Sequence, residues 1–249
     1  MTPMSSDGPA DRQPGERRGP GRRLHGAVAR KIGSEILAGD YVAGTTLPTE
    51  AAATVTLGVS RAAYREAVQV LIAKGLVESR PKAGTRVLPR ERWNLLDPDV
   101  LAWAFAREPD QQLIENLFEL REIIEPAAAA LAAQRRTPDE LQRMKSGLAL
   151  MRRHSLVTEE GRRGDRQFHA ALLHATKNQA LIALSSGIEA AVAWTTVYKQ
   201  RRRELPRDPL PFHADVYDAI AASDAERARS AMRVLVTSAL EDVDFAATR

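Results

Sequence analysis

Apolar residues recur at helical spacing almost from end to end of the chain. Between Leu24 and Ala38 they fall at Leu24, Val28, Ile32 and Ile36, one face of a helix that Gly39 stops. The turn-rich connector "YVAGTTLPTE" leads into a short helix over about 49–57, with Thr49 as its cap. Gly58 then makes a turn and Ser60 caps a further helix, whose buried stripe is Ala63, Ala67, Val70 and Leu71 and which runs to Lys74 and Gly75. Two short β-like runs follow, "LVESR" and "TRVLP", joined by "PKAG". Three helices and a hairpin in so short a span predict a winged helix-turn-helix.

After Pro89 the pattern is helical only. "LDPDVLAWAFAR" opens a helix near Pro98, and residues 111–136 repeat apolar positions at Leu113, Leu117, Leu120, Ile124, Ala128 and Leu131. Further helices are predicted over 138–155, 159–175, 178–203, 209–222 and 224–246, with short breaks between them. Short connections between antiparallel helices make a bundle. The expected fold class is mainly α, a winged helix-turn-helix followed by an all-α antiparallel bundle. The expected divisions are a disordered basic arm (1–23), a DNA-binding domain (24–90), a linker and first bundle helix (91–110), and an effector-binding and dimerisation domain (111–246).

Charge sharpens this division. The net charge is only +4, but residues 1–90 hold 14 Lys+Arg against 8 Asp+Glu, which leaves 22 against 24 for the remainder. The front is basic and suits a polyanion; the back does not. The arm "MTPMSSDGPADRQPGERRGPGRR" has too little to bury to offset the entropy of ordering it. There is no cysteine, so thiolate metal sites, disulfides and cysteine nucleophiles are excluded, and any metal must be held by His and carboxylate. No segment approaches the apolar length of a membrane span, and the N-terminus lacks a signal-peptide core, so a soluble cytoplasmic protein is expected.

A helix that reads the major groove needs polar residues near its N-terminus and an apolar opposite face. Ser60, Arg61 and Arg65 meet the first need, Arg61 and Arg65 lying one turn apart; Tyr64 suits either face. Lys82 and Thr85, in "KAGT", suit a wing that touches the DNA backbone or minor groove. The plainer alternative is a surface helix with two solvated arginines. The stretch "ILAGDYVAGTTLPTEAAATVTLGVSRAAYREAVQVLIAKGLVESRPKAGTRV" resembles the DNA-binding domain of the GntR superfamily of bacterial regulators, in the order G-x-Y-x-x-G-x-x-L-P-[ST]-E, G-V-S-R-x-x-x-R-E-A, G-L-V, G-T-x-V. The resemblance extends over residues 24–90. It departs at Ala51, where the family often has a phosphate-contacting basic residue.

In "GDRQFHAALLHATKNQA", Asp165 and His169 stand one helical turn apart, which is ligand geometry for a metal and equally an ordinary intrahelical pair. "LREIIEPAAAALAAQRRT", "DRQFH" and "HADVYDAIAASDAERARSAM" resemble the FadR-like branch of the superfamily, whose helical C-terminal domain binds small acids. The resemblance implies that Asp165, His169 and His213 hold a divalent metal such as zinc, manganese or nickel. The family's last ligand histidine is replaced here by Leu235. A weaker metal site, or a metal-free one in which the histidines bond the effector directly, fits the same residues. Arg121 is expected to grip the effector carboxylate through paired hydrogen bonds; its alternative is a pair with Glu125, four residues on. Trp194 is a candidate wall for a sugar, and it and Tyr198 could equally be core. His25, His154 and His174 have no partner pattern, and Arg201, Arg202 and Arg203 read as a solvated helix end.

"RERWNLLDPDVLAWAF" resembles the corresponding segment of regulators of sugar-acid catabolism, galactonate-operon repressors in particular, with Trp93 and Trp103 expected to pack the linker against the bundle. The function implied is a homodimeric, DNA-binding transcription regulator on a palindromic operator, a repressor responding to a hexonate or similar carboxylate. Lactate or a dicarboxylate are alternative effectors. A metal-dependent hydrolase using Asp165, His169 and His213 is the rival, and it lacks a general base and any H-E-x-x-H motif.

Overall fold

A computed structural model of the chain describes residues 20–202 and 207–243, with side chains over 26–200 and 207–243. Residues 1–19 of the expected arm lie outside the described residues, as does the 201–203 arginine run beyond its backbone. Helix α1 spans Pro20–Leu37, so the last residues assigned to the arm are helical. A proline costs nothing in a first turn, where its missing N–H would have no helical partner.

In the front of the chain α3 (Arg61–Ala73) packs against α1, α2 (Glu50–Leu57) and β1 (Val77–Arg80), which forms a hairpin with β2 (Gly84–Val87). Val28, Ala29, Ile32 and Ile36 of α1 meet Ala67, Val68 and Leu71 of α3 in one core. Val68 takes the deep position expected of Val70, which is only half-buried. Caps form where side chains permit: the Thr49 hydroxyl accepts from the Ala52 N–H, and the Ser60 hydroxyl from the Ala63 N–H. The two strands are antiparallel, Val77 opposite Val87. The connector ahead of α2 joins them: Leu47 N–H donates to Thr85 O, and Thr46 bridges Arg86.

Behind a turn of 3-10 helix at Arg90–Arg92 comes α4 (Pro98–Ala104), which has one face in each of two cores. Trp103 belongs to the front core, whereas Leu101, Ala104 and Phe105 belong to the rear one. Trp93 also joins the front core, its indole N–H donating to Leu88 O at 2.8 Å. The two tryptophans therefore do not pack the linker against the bundle as the sequence suggested. Gly33 makes room for Trp103: a Cβ there would stand 2.3 Å from the indole.

The rear core is built by α5 (Gln111–Arg135), α6 (Pro138–His154), α7 (Glu159–Ala175), α9 (Ser185–Arg202), α10 (Leu210–Ala221) and α11 (Ala225–Glu241), with the short α8 (Gln179–Ala183) outside it. Helices α6 and α7 approach so closely that a Cβ on Gly164 would stand 2.6 Å from the Gly147 carbonyl. That contact seats the helix carrying Asp165 and His169. The single helix expected over 178–203 is two, because the chain tightens at Leu184, whose N–H donates to Leu181 O three residues back. No glycine or proline marks that position. The last helix ends at Glu241; residues 244–249 lie outside the described residues.

Candidate functional sites

In the front module, Ser60, Arg61 and Arg65 are exposed at the N-terminal end of α3. Gln69, two turns from Arg61, extends the same exposed row. Lys82 stands exposed at the hairpin tip in a left-handed conformation, φ 65°. Thr85 is half-buried, its hydroxyl 3.4 Å from that of Ser79. A cleft between α3 and the hairpin is lined by Arg65, Gln69, Ser79 and Thr85. Tyr64 belongs to the core instead: it is 3% exposed and its hydroxyl donates to the Pro48 carbonyl at 2.6 Å. The DNA contact expected of it is withdrawn, because the hydroxyl is already used to hold the connector.

In the rear module, Asp165, His169 and His213 come together from α7 and α10, all buried, with one donor atom from each lying within 4.8 Å of the others. His213 Nδ1 donates to the Pro209 carbonyl (2.8 Å), and its Nε2 faces Asp165 Oδ1 at 3.0 Å. His169 repeats the arrangement, with Nδ1 2.9 Å from Glu125 Oε2 and Nε2 3.6 Å from Asp165 Oδ1. The contact with Glu125 is an ion pair rather than an aligned hydrogen bond, for no donor meets Glu125 Oε2 in line. Phe168 sits edge-on to both imidazoles, with ring centroids 5.8 and 5.3 Å away.

His213 is anchored through Nδ1, His169 is held by charge beside Glu125, and both bring Nε2 toward one carboxylate oxygen. A neutral imidazole holding its proton on Nδ1 has a lone pair at Nε2, and a lone pair facing a carboxylate oxygen is repulsive unless a proton or a cation lies between. The donor set fits a divalent cation on that ground, with two imidazole nitrogens, one carboxylate and open positions. Leu235, the position for which the sequence resemblance implied a further ligand histidine, is buried on the cavity wall.

Charge is balanced tightly around the triad. Burial alone would raise Asp165 and Glu125. Hydrogen bonding from His213 and the nearby positive charges bring Asp165 down to about 2, and Arg121 with His169 bring Glu125 to about 2. His169 is pushed up: burial opposes its charge, but Glu125 and Asp165 outweigh the burial. Arg121 Nε lies 2.6 Å from Glu125 Oε1 and its Nη1 lies 3.4 Å from the Thr195 hydroxyl. The intrahelical pair is therefore real, and Arg121 reaches the cavity with its charge already matched.

The cavity beside the triad is walled by α5, α7, α9, α10 and α11 and holds about 30 Å³ of free space. From α9 it takes Val192, Thr196 and Lys199. Trp194 does not line it. About half a turn of helix phase separates Trp194 from Val192 and Thr196 and carries it to the side of α9 facing α4, where it stacks on Phe105 at 6.0 Å. Tyr198 follows it there, 2% exposed, donating to Glu108. Glu125, Thr196, Lys199, Arg207 and Asp242 surround or line the site without having been expected to; apart from the spacing of Glu125 from Arg121, no sequence pattern singled them out. His154 and His174 lie away from the cavity.

A winged helix-turn-helix with a basic exposed helix face, carried ahead of a helical domain whose cavity is lined by several charged side chains, is the build of a DNA-binding transcription regulator. Residues 24–87 match the model of bacterial regulatory proteins of the gntR family, and residues 116–238 match the FCD domain. The galactonate operon transcriptional repressor of Escherichia coli K12 is 34% identical over 210 residues, 83% of this chain and 91% of that protein. The regulator LutR of Bacillus subtilis is 30% identical, covering 82% of this chain and 94% of its own. A solved structure of Lar, which controls expression of the Listeria monocytogenes agr system, shares the fold with a TM-score of 0.64 at 21% identity, over 88% of this chain and 97% of that one. The chain belongs to the GntR family, in the branch with an FCD domain, and is a transcription regulator rather than an enzyme. Among the described residues no helix is long and apolar enough to cross a membrane.

Proposed function

We propose that this regulator is a homodimeric repressor of a carbohydrate-acid catabolic operon, released or engaged by a small carboxylate bound in the rear cavity. Residues 24–90 act as the DNA-binding domain and 111–246 as the effector-binding and dimerisation domain. Arg61 and Arg65 read base edges of a palindromic duplex, Ser60 orients the helix start, and Lys82 and Thr85 steady the wing. Asp165, His169 and His213 hold a divalent metal, with zinc, manganese or nickel as candidates, and a hydroxy acid completes its coordination. The carrying observation is the convergence of both Nε2 atoms on Asp165 beside a cavity walled by cationic side chains. The likeness to a galactonate operon repressor supports a hexonate effector.

A second reading, lactate or a small dicarboxylate, is favoured by the size of the cavity. About 30 Å³ admits little more than a metal ion and its water, so a hexonate must displace wall side chains where a three-carbon acid displaces fewer. The test is a thermal-shift screen of the full chain against galactonate, hexuronates, lactate and dicarboxylates, with and without zinc or manganese, followed by gel shifts on palindromic duplexes. A midpoint raised by one acid class, with a matching change in duplex affinity, is the expected result. Duplex binding indifferent to every acid and metal would overturn the reading.

A further inference from the structure

Every charged group on the cavity wall is matched by an opposite charge, with one exception. Arg121 is paired with Glu125 at 2.6 Å, and Arg207 with Asp242 at 3.1 Å and Glu241 at 2.8 Å. Asp165 faces two imidazoles. Lys199 lines the same wall, and among the described residues no hydrogen bond or ion pair holds its ammonium. The side chain is half-buried and its ammonium keeps contact with solvent. Burial, and then the like charge of Arg121, bring it down to about 8. Asp165 and Asp242 lie near enough to attract the ammonium, but among the described residues neither bonds it, so it is available to an anion that enters the cavity. Helix phase puts it on the wall: Val192, Thr196 and Lys199 share one face of α9, whose Thr195 also bonds Arg121.

We propose that Lys199 is the residue that receives the carboxylate of the organic anion bound in this cavity, supplying the charge partner that the site otherwise lacks. Arg121 then acts as a positioning residue, held by Glu125 and Thr195. This rests on the carboxylate-effector reading above and narrows it. The ligand has one anionic group near α9 and its metal-facing oxygens toward Asp165, so the uncharged polyol of the same carbon skeleton binds poorly.

The test is calorimetry on the full zinc-loaded chain with D-galactonate, L-lactate, malonate, inorganic phosphate and the uncharged polyol galactitol, comparing wild type with Lys199→Met and Lys199→Arg. The acid that binds wild type should bind Lys199→Met about 10- to 100-fold more weakly, the loss expected for one charge-assisted hydrogen bond. Lys199→Arg should recover most of the affinity, and zinc affinity should not move. Equal affinity for wild type and Lys199→Met overturns the proposal. Phosphate binding as tightly as every acid overturns its carboxylate specificity. If no acid binds wild type, the effector reading itself falls and this proposal with it.

Should Lys199→Met fail to fold, wild type decides the matter at pH 8.5. The groups facing Lys199 there are Arg121 from α5, Asp165 from α7, Arg207 ahead of α10 and Asp242 after α11. Binding of the acid should draw a proton onto Lys199, seen as a reaction heat that depends on the buffer's ionisation heat. An acid that binds without proton uptake overturns the proposal.

Discussion

Lys74 caps the end of α3 and Asp97 caps the start of α4, and the two are joined: Lys74 Nζ lies 2.6 Å from Asp97 Oδ1 and 2.9 Å from Asp99 Oδ2. The same ammonium stands 5.4 Å over the Trp103 ring. The helix carrying Arg61 and Arg65 is therefore fastened to α4, whose far side is stacked on α9 through Phe105 and Trp194. Burial alone would lower Lys74, but its two aspartates overcome that and raise it. Lys74→Met should cost about 1 kcal/mol of stability rather than the 3–5 of an orphaned buried charge. Asp97 keeps its hydrogen bonds from the Asp99 and Val100 N–H groups, and Asp99 is exposed and resolvates. Denaturant unfolding measures the loss. Duplex binding should persist in the variant while its response to added acid weakens.

The seat of Trp103 gives a second outcome. An alanine at Gly33 gains about 1 kcal/mol of helix propensity, yet its Cβ would stand 2.3 Å from a rigid indole with the front core behind it. Overpacking of this kind costs about 1–3 kcal/mol. Gly33→Ala should therefore lower the melting midpoint despite the better helix former, and an unchanged or raised midpoint would show that the indole can retreat.

Tyr64 and Arg65 are neighbours in sequence with opposite surroundings, one buried and one exposed. Tyr64→Phe removes the hydrogen bond to Pro48 O and should cost about 0.5–1.5 kcal/mol of folding stability, leaving the operator footprint as it is. Arg65→Ala should leave stability within about 0.5 kcal/mol and cost about 1–3 kcal/mol in operator binding. Chemical denaturation and a binding isotherm on the same duplex, at one salt concentration, separate the two effects.

Helix existence was legible because apolar spacing reports one buried face. The helix expected over 111–136 runs Gln111–Arg135, and Thr49 and Ser60 cap as their side-chain chemistry suggests. Spacing does not say which neighbour a face meets. Trp194 and Lys199 lie five residues apart on one helix, yet one is core and the other cavity wall, which only the placement of α4 and α7 around α9 decides. Tyr64 was ambiguous for the same reason, since its partner is a backbone carbonyl sixteen residues away. The tightening at Leu184 had no signal, since no proline or glycine stands at that position.

The triad should bind metal more strongly as pH rises. His169 is raised above its ordinary value of 6.5, so the stability it contributes as an imidazolium is fully present below that value and is lost as pH rises through the raised one. Asp165 and Glu125, held near 2, stay ionised from pH 6 to 8 and add no change across that window. Zinc competes with the His169 proton and replaces the charge that is lost. The midpoint gained on adding zinc should be small at pH 6 and grow steadily toward pH 8, as a thermal-shift series will show. A gain independent of pH would mean that the metal does not use His169.

Leu235 offers the converse experiment. It is buried on the cavity wall, on the helix that packs against both α5 and α10, at the position where the sequence resemblance implied a further histidine. Three protein ligands leave zinc with an exchangeable position, whereas four close its tetrahedron, and closed sites bind more tightly and exchange less. Leu235→His should tighten zinc by about tenfold or more, near 1.4 kcal/mol, measured by competition with a chelator. Its cost is the packing that Leu235 gives the wall, about 1–3 kcal/mol in the metal-free protein, which zinc should repay on binding. The acid response should weaken at the same time, since the new imidazole takes a coordination position that a hydroxy acid would occupy. A variant that gains zinc affinity and keeps an undiminished acid response would show that the acid binds without touching the metal, leaving recognition to the cationic wall.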